Sequence, residues 1–236
     1  MKRLMMYCAA LAALTTTGLA REAATVVETA GPATWAAEDA LGRKVGFYAP
    51  KTIRLESRGD WVDVSPSYPA SRGNTLRRDA IGYAGIRNTD DSARNDIVET
   101  KVARDAEHVW FAIRAAAPLT PSSDRAWMTL FVDTDRAKAT GWQGYDLVVN
   151  RLSPEGGKAV VEVADGRGWT WRRVAQAACH VDGDLLVLEL PRTLFGSWLD
   201  FEFKVGDNLR LEGDVMDFYV SGDVAPLGRF NYVFTE

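Results

Sequence analysis

Three carboxylates with a suggestive spacing lie in the stretch FVDTDRAKATGWQGYD, residues 131–146. Asp133 and Asp135 stand two residues apart where a predicted strand ends, and Asp146 closes the loop that follows. Carboxylates at such a strand exit can turn toward one cation, with loop carbonyls completing the oxygen shell that Ca²⁺ prefers. The alternative is that Asp133 and Asp135 cap a turn by accepting hydrogen bonds from backbone N–H groups. The sequence alone leaves both interpretations open.

Aromatic side chains are the second set that could do chemistry. A flat indole can bury the C–H face of a sugar ring at little entropic cost, while nearby polar groups bond the sugar hydroxyls. Trp142 lies in a glycine-flanked loop, and Trp169 and Trp171 point to one face of a predicted strand, so exposed platforms are expected there. Burial is the alternative, because tryptophan is usually buried wherever a sandwich has a core. The candidate ligand-binding aromatic residues are Trp127, Trp142, Tyr145, Trp169 and Trp171.

Arg94 and Asn95, beside the start of a predicted strand, complete the candidate ligand-binding set. Their guanidinium and amide groups can line a ligand cleft, or they can tie chain segments together. Trp61, Trp110 and Trp198 are predicted to be packing residues instead.

Evidence for catalysis is thin. A G-x-S-x-G elbow, a glycine-rich phosphate loop, H-E-x-x-H and C-x-x-C are all absent from the sequence. A pair of carboxylates for glycoside hydrolysis is defined only in three dimensions, so a hydrolase stays an alternative. Axial ligands for a haem would have to come from His108, His180 or a methionine such as Met128 or Met216. The sequence therefore favours a non-catalytic binding role.

The elements that must position these residues are short strands. Predicted strands span 97–104, 109–115, 127–133, 145–152, 158–164, 169–174, 177–181, 185–190, 201–205, 215–220 and 230–234. Asp165-Gly166 and Asp182-Gly183-Asp184 are hairpin signals, and residues 191–196 form the one plausible helical turn. Strands of this kind, with turn signals every 8 to 12 residues or so, predict an all-β fold, an antiparallel β-sandwich or jelly roll.

The N-terminus indicates export. Residues 1–3 are a short basic start, residues 4–14 are apolar and uncharged, and Gly18-Leu19-Ala20 offers a small-residue cleavage site. We therefore predict a signal peptide over 1–20, a linker or lead-in segment over 21–50, a sandwich over 51–236, and a secreted or periplasmic location. The apolar run is shorter than the about 20 residues of a membrane span.

The net charge and the cysteine content exclude two further features, nucleic-acid binding and a disulfide. The formal net charge is −4 and the sequence has no block of basic residues, so it lacks the positively charged surface expected of a nucleic-acid-binding protein. After signal cleavage Cys179 is the remaining cysteine, which excludes an intramolecular disulfide.

Four segments in order resemble family 9 carbohydrate-binding modules, which belong to the wider group of DOMON-like sandwiches that bind sugars or haem. They are KVARDAEHVWFAIRA, WMTLFVDTDRAKATGWQGYD, DLLVLELPRTLFG and FEFKVGDN. The closing DVMDFYVSGDVAPLGRFNY is similar to the end of a subgroup found at the C-terminus of large bacterial polysaccharide-degrading proteins. The resemblance covers residues 61–232 and implies a sugar-binding sandwich with structural calcium.

The combined expectation is a secreted, non-catalytic module that binds oligo- or polysaccharide, with polysaccharide-degrading enzymes as possible neighbours. Calcium is expected at Asp133, Asp135 and Asp146. The alternatives are a glycoside hydrolase or an accessory part of one, a haem-binding electron-transfer domain of the same fold group, and a purely structural spacer.

Overall fold

One long sheet that curls on itself organises the chain. The computed structural model describes residues 34–38, 44–48, 50–65 and 67–236. Nearly all strand pairings in these ranges are antiparallel, and the helical segments are short. The predicted all-β, antiparallel class is therefore confirmed.

Fifteen strands are present in the described ranges. They are β1 (Thr34–Glu38), β2 (Lys44–Tyr48), β3 (Tyr68–Pro69), β4 (Arg78–Ile81), β5 (Arg87–Asp90), β6 (Ile97–Arg104), β7 (His108–Ala115), β8 (Thr129–Asp133), β9 (Leu147–Val149), β10 (Lys158–Ala164), β11 (Trp171–Asp182), β12 (Leu185–Pro191), β13 (Asp200–Asp207), β14 (Asp223–Ala225) and β15 (Tyr232–Thr235). The main sheet has the order β1-β2-β15-β13-β8-β9-β10-β11-β12-β7-β6-β3, with β14 also pairing with β13. Strands β4 and β5 form a separate hairpin, and β2 pairs with β15 in parallel.

The central core lies inside the curl. On β13, alternate residues Phe201, Phe203 and Val205 are buried in this core, as the period of a strand requires. Phe203 contacts Phe111 of β7 with ring centroids 5.4 Å apart, although many strands separate β7 from β13 in the sheet order. The two halves of the sheet therefore pack face to face.

Both outer faces of the curl are also covered. The segment that carries Trp61 packs on Trp110 and Val187 of the β7–β12 face. On the other side, Phe131 and Val148 of the β8–β9 face are covered by the loop before β9 and by residues 209–218. The second of these covered faces holds most of the candidate site residues.

Several local predictions need correction. Residues 215–220 are not a strand: Asp217–Val220 form a single α-helical turn, α1, in which Phe218 and Val220 are buried. The Asp217 carboxylate accepts hydrogen bonds from the Leu211 N–H and the Ser221 hydroxyl, contacts that favour a turn. Trp198 is 63% exposed rather than packed, because its neighbour Leu199 occupies the core position. The two predicted strands at 169–174 and 177–181 are one strand, β11.

Other predictions are confirmed. Trp61 and Trp110 are buried, and Arg192–Phe195 form the predicted helical turn as a 3₁₀ segment. Strands β1 and β2 lie within the segment that the sequence assigns to a lead-in, whereas the predicted signal peptide lies outside the described residues. None of the helices in the described ranges is long and apolar enough to cross a membrane.

Candidate functional site

Strand pairing brings the three aspartates together. Val132 of β8 lies opposite Leu147 of β9 in the antiparallel pair. Asp133, which follows Val132, and Asp146, which precedes Leu147, therefore meet at the same end of the sheet. Asp135 follows in the connecting loop, and one carboxylate oxygen from each residue lies within 4.8 Å of the others. The sequence prediction that these residues converge is thus confirmed, whereas the identity of an ion stays a prediction.

Two of the three carboxylates also cap turns. The Asp146 Oδ2 atom accepts hydrogen bonds from the Thr134 N–H at 2.9 Å and from the Thr134 hydroxyl at 3.0 Å. Asp135 Oδ1 accepts from the Ala137 N–H at 2.9 Å and from the Thr140 hydroxyl at 3.0 Å. These bonds hold both carboxylates in place.

Asp133 is different, because its side chain is fully buried and only half satisfied. Its Oδ2 atom accepts a hydrogen bond from Lys138 Nζ at 2.6 Å, and the same ammonium donates to Glu202 Oε2 at 2.8 Å. Its Oδ1 atom is buried and has no hydrogen-bond partner among the described residues. A buried carboxylate oxygen without a partner is energetically unfavourable, and a cation would satisfy it.

The electrostatics point the same way. Burial raises the pKa of Asp133, against the opposing effect of Lys138. Burial also raises the pKa of Asp146, and the negative charge of Asp135 adds to that rise. One ammonium shared between Asp133 and Glu202 leaves the three-aspartate cluster negatively charged, so the donor set suits a hard divalent cation.

Glycines make the loop between β8 and β9 possible. Gly141 has φ +54°, and a Cβ atom there would lie 2.1 Å from the Tyr145 carbonyl oxygen. The backbone pairs at this point, with the Trp142 N–H donating to Tyr145 O at 2.9 Å and the Tyr145 N–H donating to Trp142 O at 2.8 Å. Only glycine allows this close approach.

We therefore expect Gly141→Ala to destabilise the fold by about 3 kcal/mol or more, from the left-handed backbone and the clash together. Gly166→Ala is the matched control, since Gly166 has φ +79° but open space around its Cα. That variant should lose only about 1–2 kcal/mol. Urea unfolding measures both, and equal losses would show that the close approach at Gly141 has no energetic weight.

Most of the aromatic set is buried. Trp142 and Tyr145 are each 4% exposed and cover Phe131 together with Phe218. The expectation that Trp142 is an exposed platform is therefore wrong, since the outer face of β8 needs an apolar cover. Trp127 is also buried, and its indole N–H donates to Thr120 O at 2.9 Å. None of the three presents a ring face to solvent.

Trp169 and Trp171 are the candidate aromatic residues that stay partly exposed. Their rings meet edge to face, with centroids 5.5 Å apart and planes at 86°. Trp169 also packs edge-on against Trp142 at 4.4 Å, and Gly213 leaves room for the Trp169 ring. Trp171 begins β11, whereas Trp169 lies in the turn before it, so the two are not on one strand as predicted. We call these two residues the tryptophan pair.

Arg94 and Asn95 bind another part of the protein instead of lining an open site. Arg94 Nε donates to Asp207 Oδ2 at 2.8 Å, and Asn95 Nδ2 donates to Asp207 Oδ1 at 3.0 Å. The Met128 N–H donates to the same Oδ1 atom at 2.9 Å. These bonds agree with the alternative that Arg94 and Asn95 tie chain segments together. The network links the chain before β6 to the end of β13.

Charged residues that were not among the predicted site residues are buried beneath the loops. Lys204 is fully buried on β13, and its Nζ donates to the carbonyl oxygens of Pro226 and Phe230, at 2.6 Å each. The sequence carries a signal for this burial. Phe201, Glu202, Phe203 and Lys204 alternate between apolar and charged residues, which predicts a strand with charged side chains on the face opposite the core.

Burial lowers the pKa of Lys204 to about 7. Above pH 7 the folded chain loses the proton of the Lys204 ammonium, whereas the unfolded chain keeps it to a higher pH. Because the unfolded chain then binds more protons, the free energy of unfolding rises with pH as the cost of burying the charged ammonium is relieved. We expect the free energy of unfolding to shift in favour of the wild type, relative to Lys204→Met, between pH 7 and pH 10. Urea unfolding of both proteins at the two pH values measures this difference. Parallel pH profiles would contradict it.

Residues for the alternative functions are also located. Met128, one proposed haem ligand, is fully buried in the central core, and the His108 ring lies 5.4 Å from the Trp110 ring. Comparison with models of known protein families, with curated proteins and with solved structures finds no match. The function is therefore a proposal, which rests on the geometry of the site and on the features of the sequence described above.

Proposed function

We propose that this chain is an exported, non-catalytic carbohydrate-binding protein that contacts saccharide through the tryptophan pair. The observation that carries the proposal is that Trp169 and Trp171 stay partly exposed, with their rings at right angles, while the aromatic rings beneath them are buried. The two rings are in contact and form one contiguous apolar patch, and such patches on a protein surface can mark ligand-binding sites, whereas isolated exposed apolar residues do not.

The tryptophan pair is supported from below. Trp169 rests on Trp142, which in turn packs with Phe131 and Phe218. Since these rings are already fixed, a ligand that packs on the pair meets a surface that loses little conformational freedom on binding. A pyranose ring has an apolar C–H face for an indole and hydroxyls at its edge, which fits such a surface.

Calcium at the aspartate cluster is part of the proposal. Asp133, Asp135 and Asp146 would hold the ion, and the buried Oδ1 atom of Asp133 supports this assignment. The bound ion would supply positive charge that neutralises the carboxylates and fixes the loop between β8 and β9. That loop carries Trp142, the residue on which Trp169 rests.

The resemblance of the ordered segments to family 9 carbohydrate-binding modules supports the same proposal. It adds export through the N-terminal signal and polysaccharide-degrading enzymes as functional neighbours. Both belong to the proposal.

Isothermal titration calorimetry with soluble hexasaccharides tests the proposal directly. Cellohexaose, xylohexaose, mannohexaose and laminarihexaose form the panel, with pull-down on insoluble cellulose, xylan and chitin beside it. Binding to at least one glycan is expected, without release of reducing ends. Release of reducing ends would favour the hydrolase, a Soret band in the purified protein would favour the haem domain, and absence of binding to every glycan would overturn the proposal.

A further inference from the structure

A cleft of about 360 Å³ lies between the loop that follows β8 and the turn between β10 and β11. Thr134 and Gly141 line it from the loop, and Gly166 and Arg167 line it from the turn. Its volume falls in the range of small-ligand sites in proteins. None of the sequence predictions includes it as a site.

The lining of the cleft has an apolar floor and a polar rim. Val163 and Leu194 supply the aliphatic surface above the buried Leu147, and Arg167 supplies a donor at the rim. Asp146 also lies at the rim, with its Oδ2 atom already bonded to Thr134. Leu194 and Val163 also pack against the central core, so the floor is fixed by the fold. A ring with a C–H face and hydroxyls at its edge matches this combination.

Two chain segments connect the cleft to the tryptophan pair, although neither tryptophan lines the cleft itself. Ala164 lines the cleft and is the register partner of Trp171 across the β10–β11 hairpin. On the opposite side, Gly141 lines the cleft and is followed by Trp142, against which Trp169 packs. The same two chain segments therefore form the walls of the cleft and carry or support the tryptophan pair.

We propose that the cleft is a second sugar subsite, which takes one pyranose unit of the saccharide whose neighbouring unit packs on the tryptophan pair. Arg167 donates hydrogen bonds to hydroxyl oxygens of that unit, and Val163 and Leu194 contact its C–H face. This inference rests on the proposed carbohydrate-binding function and adds the requirement that the ligand span at least two units.

Calorimetry with the hexasaccharide that binds the wild type tests the role of Arg167. Arg167→Ala should weaken binding by about tenfold or more, since a hydrogen bond from a charged donor is lost. Arg173→Ala is the matched control, because Arg173 is exposed on β11 and pairs with Glu155 at 2.8 Å. It should bind as the wild type does. Equal affinities for Arg167→Ala and the wild type would overturn the inference.

A second measurement does not depend on a variant. In ¹⁵N–¹H spectra of the wild type titrated with the same hexasaccharide, the amide signals of Gly141 and Gly166 should shift. If the indole signals of the tryptophan pair shift and these two amides do not, the cleft is not a subsite while the proposed function stands. If every hexasaccharide of the panel fails to bind, the proposed function and the subsite both fail.

Discussion

Replacing Trp169 and Trp171 together by alanine is expected to weaken hexasaccharide binding by about a hundredfold. Each indole that covers roughly 55 Å² of a sugar face contributes about 1.4 kcal/mol, which is close to tenfold in affinity. The two contributions add if both rings contact the ligand. Calorimetry on the single and double variants measures the effect.

Trp198→Ala provides the matched control for this prediction. Trp198 is 63% exposed, more than either member of the tryptophan pair, yet it lies outside the aromatic cluster that supports them. Its loss should leave affinity unchanged. If Trp198→Ala weakens binding as much as Trp171→Ala does, exposure alone governs contact and the tryptophan pair is not a specific site.

Calcium at 100 times its dissociation constant is expected to raise the melting temperature by about 5–10 °C. Selective binding to the folded state at that ratio adds about 2.7 kcal/mol of stability, and each kcal/mol shifts the midpoint by about 2–4 °C in a protein of this size. Differential scanning calorimetry with calcium and with a chelator measures the shift. The physical source is the aspartate cluster, where Asp133 Oδ1 has no described hydrogen-bond partner.

Asp135→Asn tests that assignment without disturbing the core, because Asp135 is exposed. Its calcium-induced shift should shrink by several degrees at the same calcium concentration, and Asp133→Asn should remove the shift. Glu56→Gln, at an exposed carboxylate outside the cluster, should respond as the wild type does. A full shift in Asp133→Asn would place the calcium elsewhere.

The fold class followed from pattern because strand alternation and turn residues are local. Val109, Phe111 and Ile113 alternate along β7 and are all buried in the central core, as the sequence predicts. The prediction of a strand at 215–220 was wrong because a short apolar run is compatible with either a strand or a helical turn. The Asp217 side chain favours the turn by accepting hydrogen bonds from Leu211 and Ser221. The alternation of apolar and polar residues contains no information on such side-chain bonds.

The candidate site was predictable where spacing determines position. Asp133 and Asp146 flank one loop between paired strands, so their convergence follows once β8 and β9 pair. The burial of Trp142 was not predictable, because it depends on residues 209–218 folding over the same face. The cleft was missed for a related reason: it joins Thr134, Arg167 and Leu194, which are distant in sequence.

The central claim is that saccharide contacts the tryptophan pair, and indole N–H signals in ¹⁵N–¹H spectra report on it residue by residue. Titration with the hexasaccharide that binds in calorimetry is predicted to shift the Trp169 and Trp171 indole signals and to leave that of exposed Trp198 unchanged. Binding by calorimetry with no shift at Trp169 or Trp171 would contradict the account.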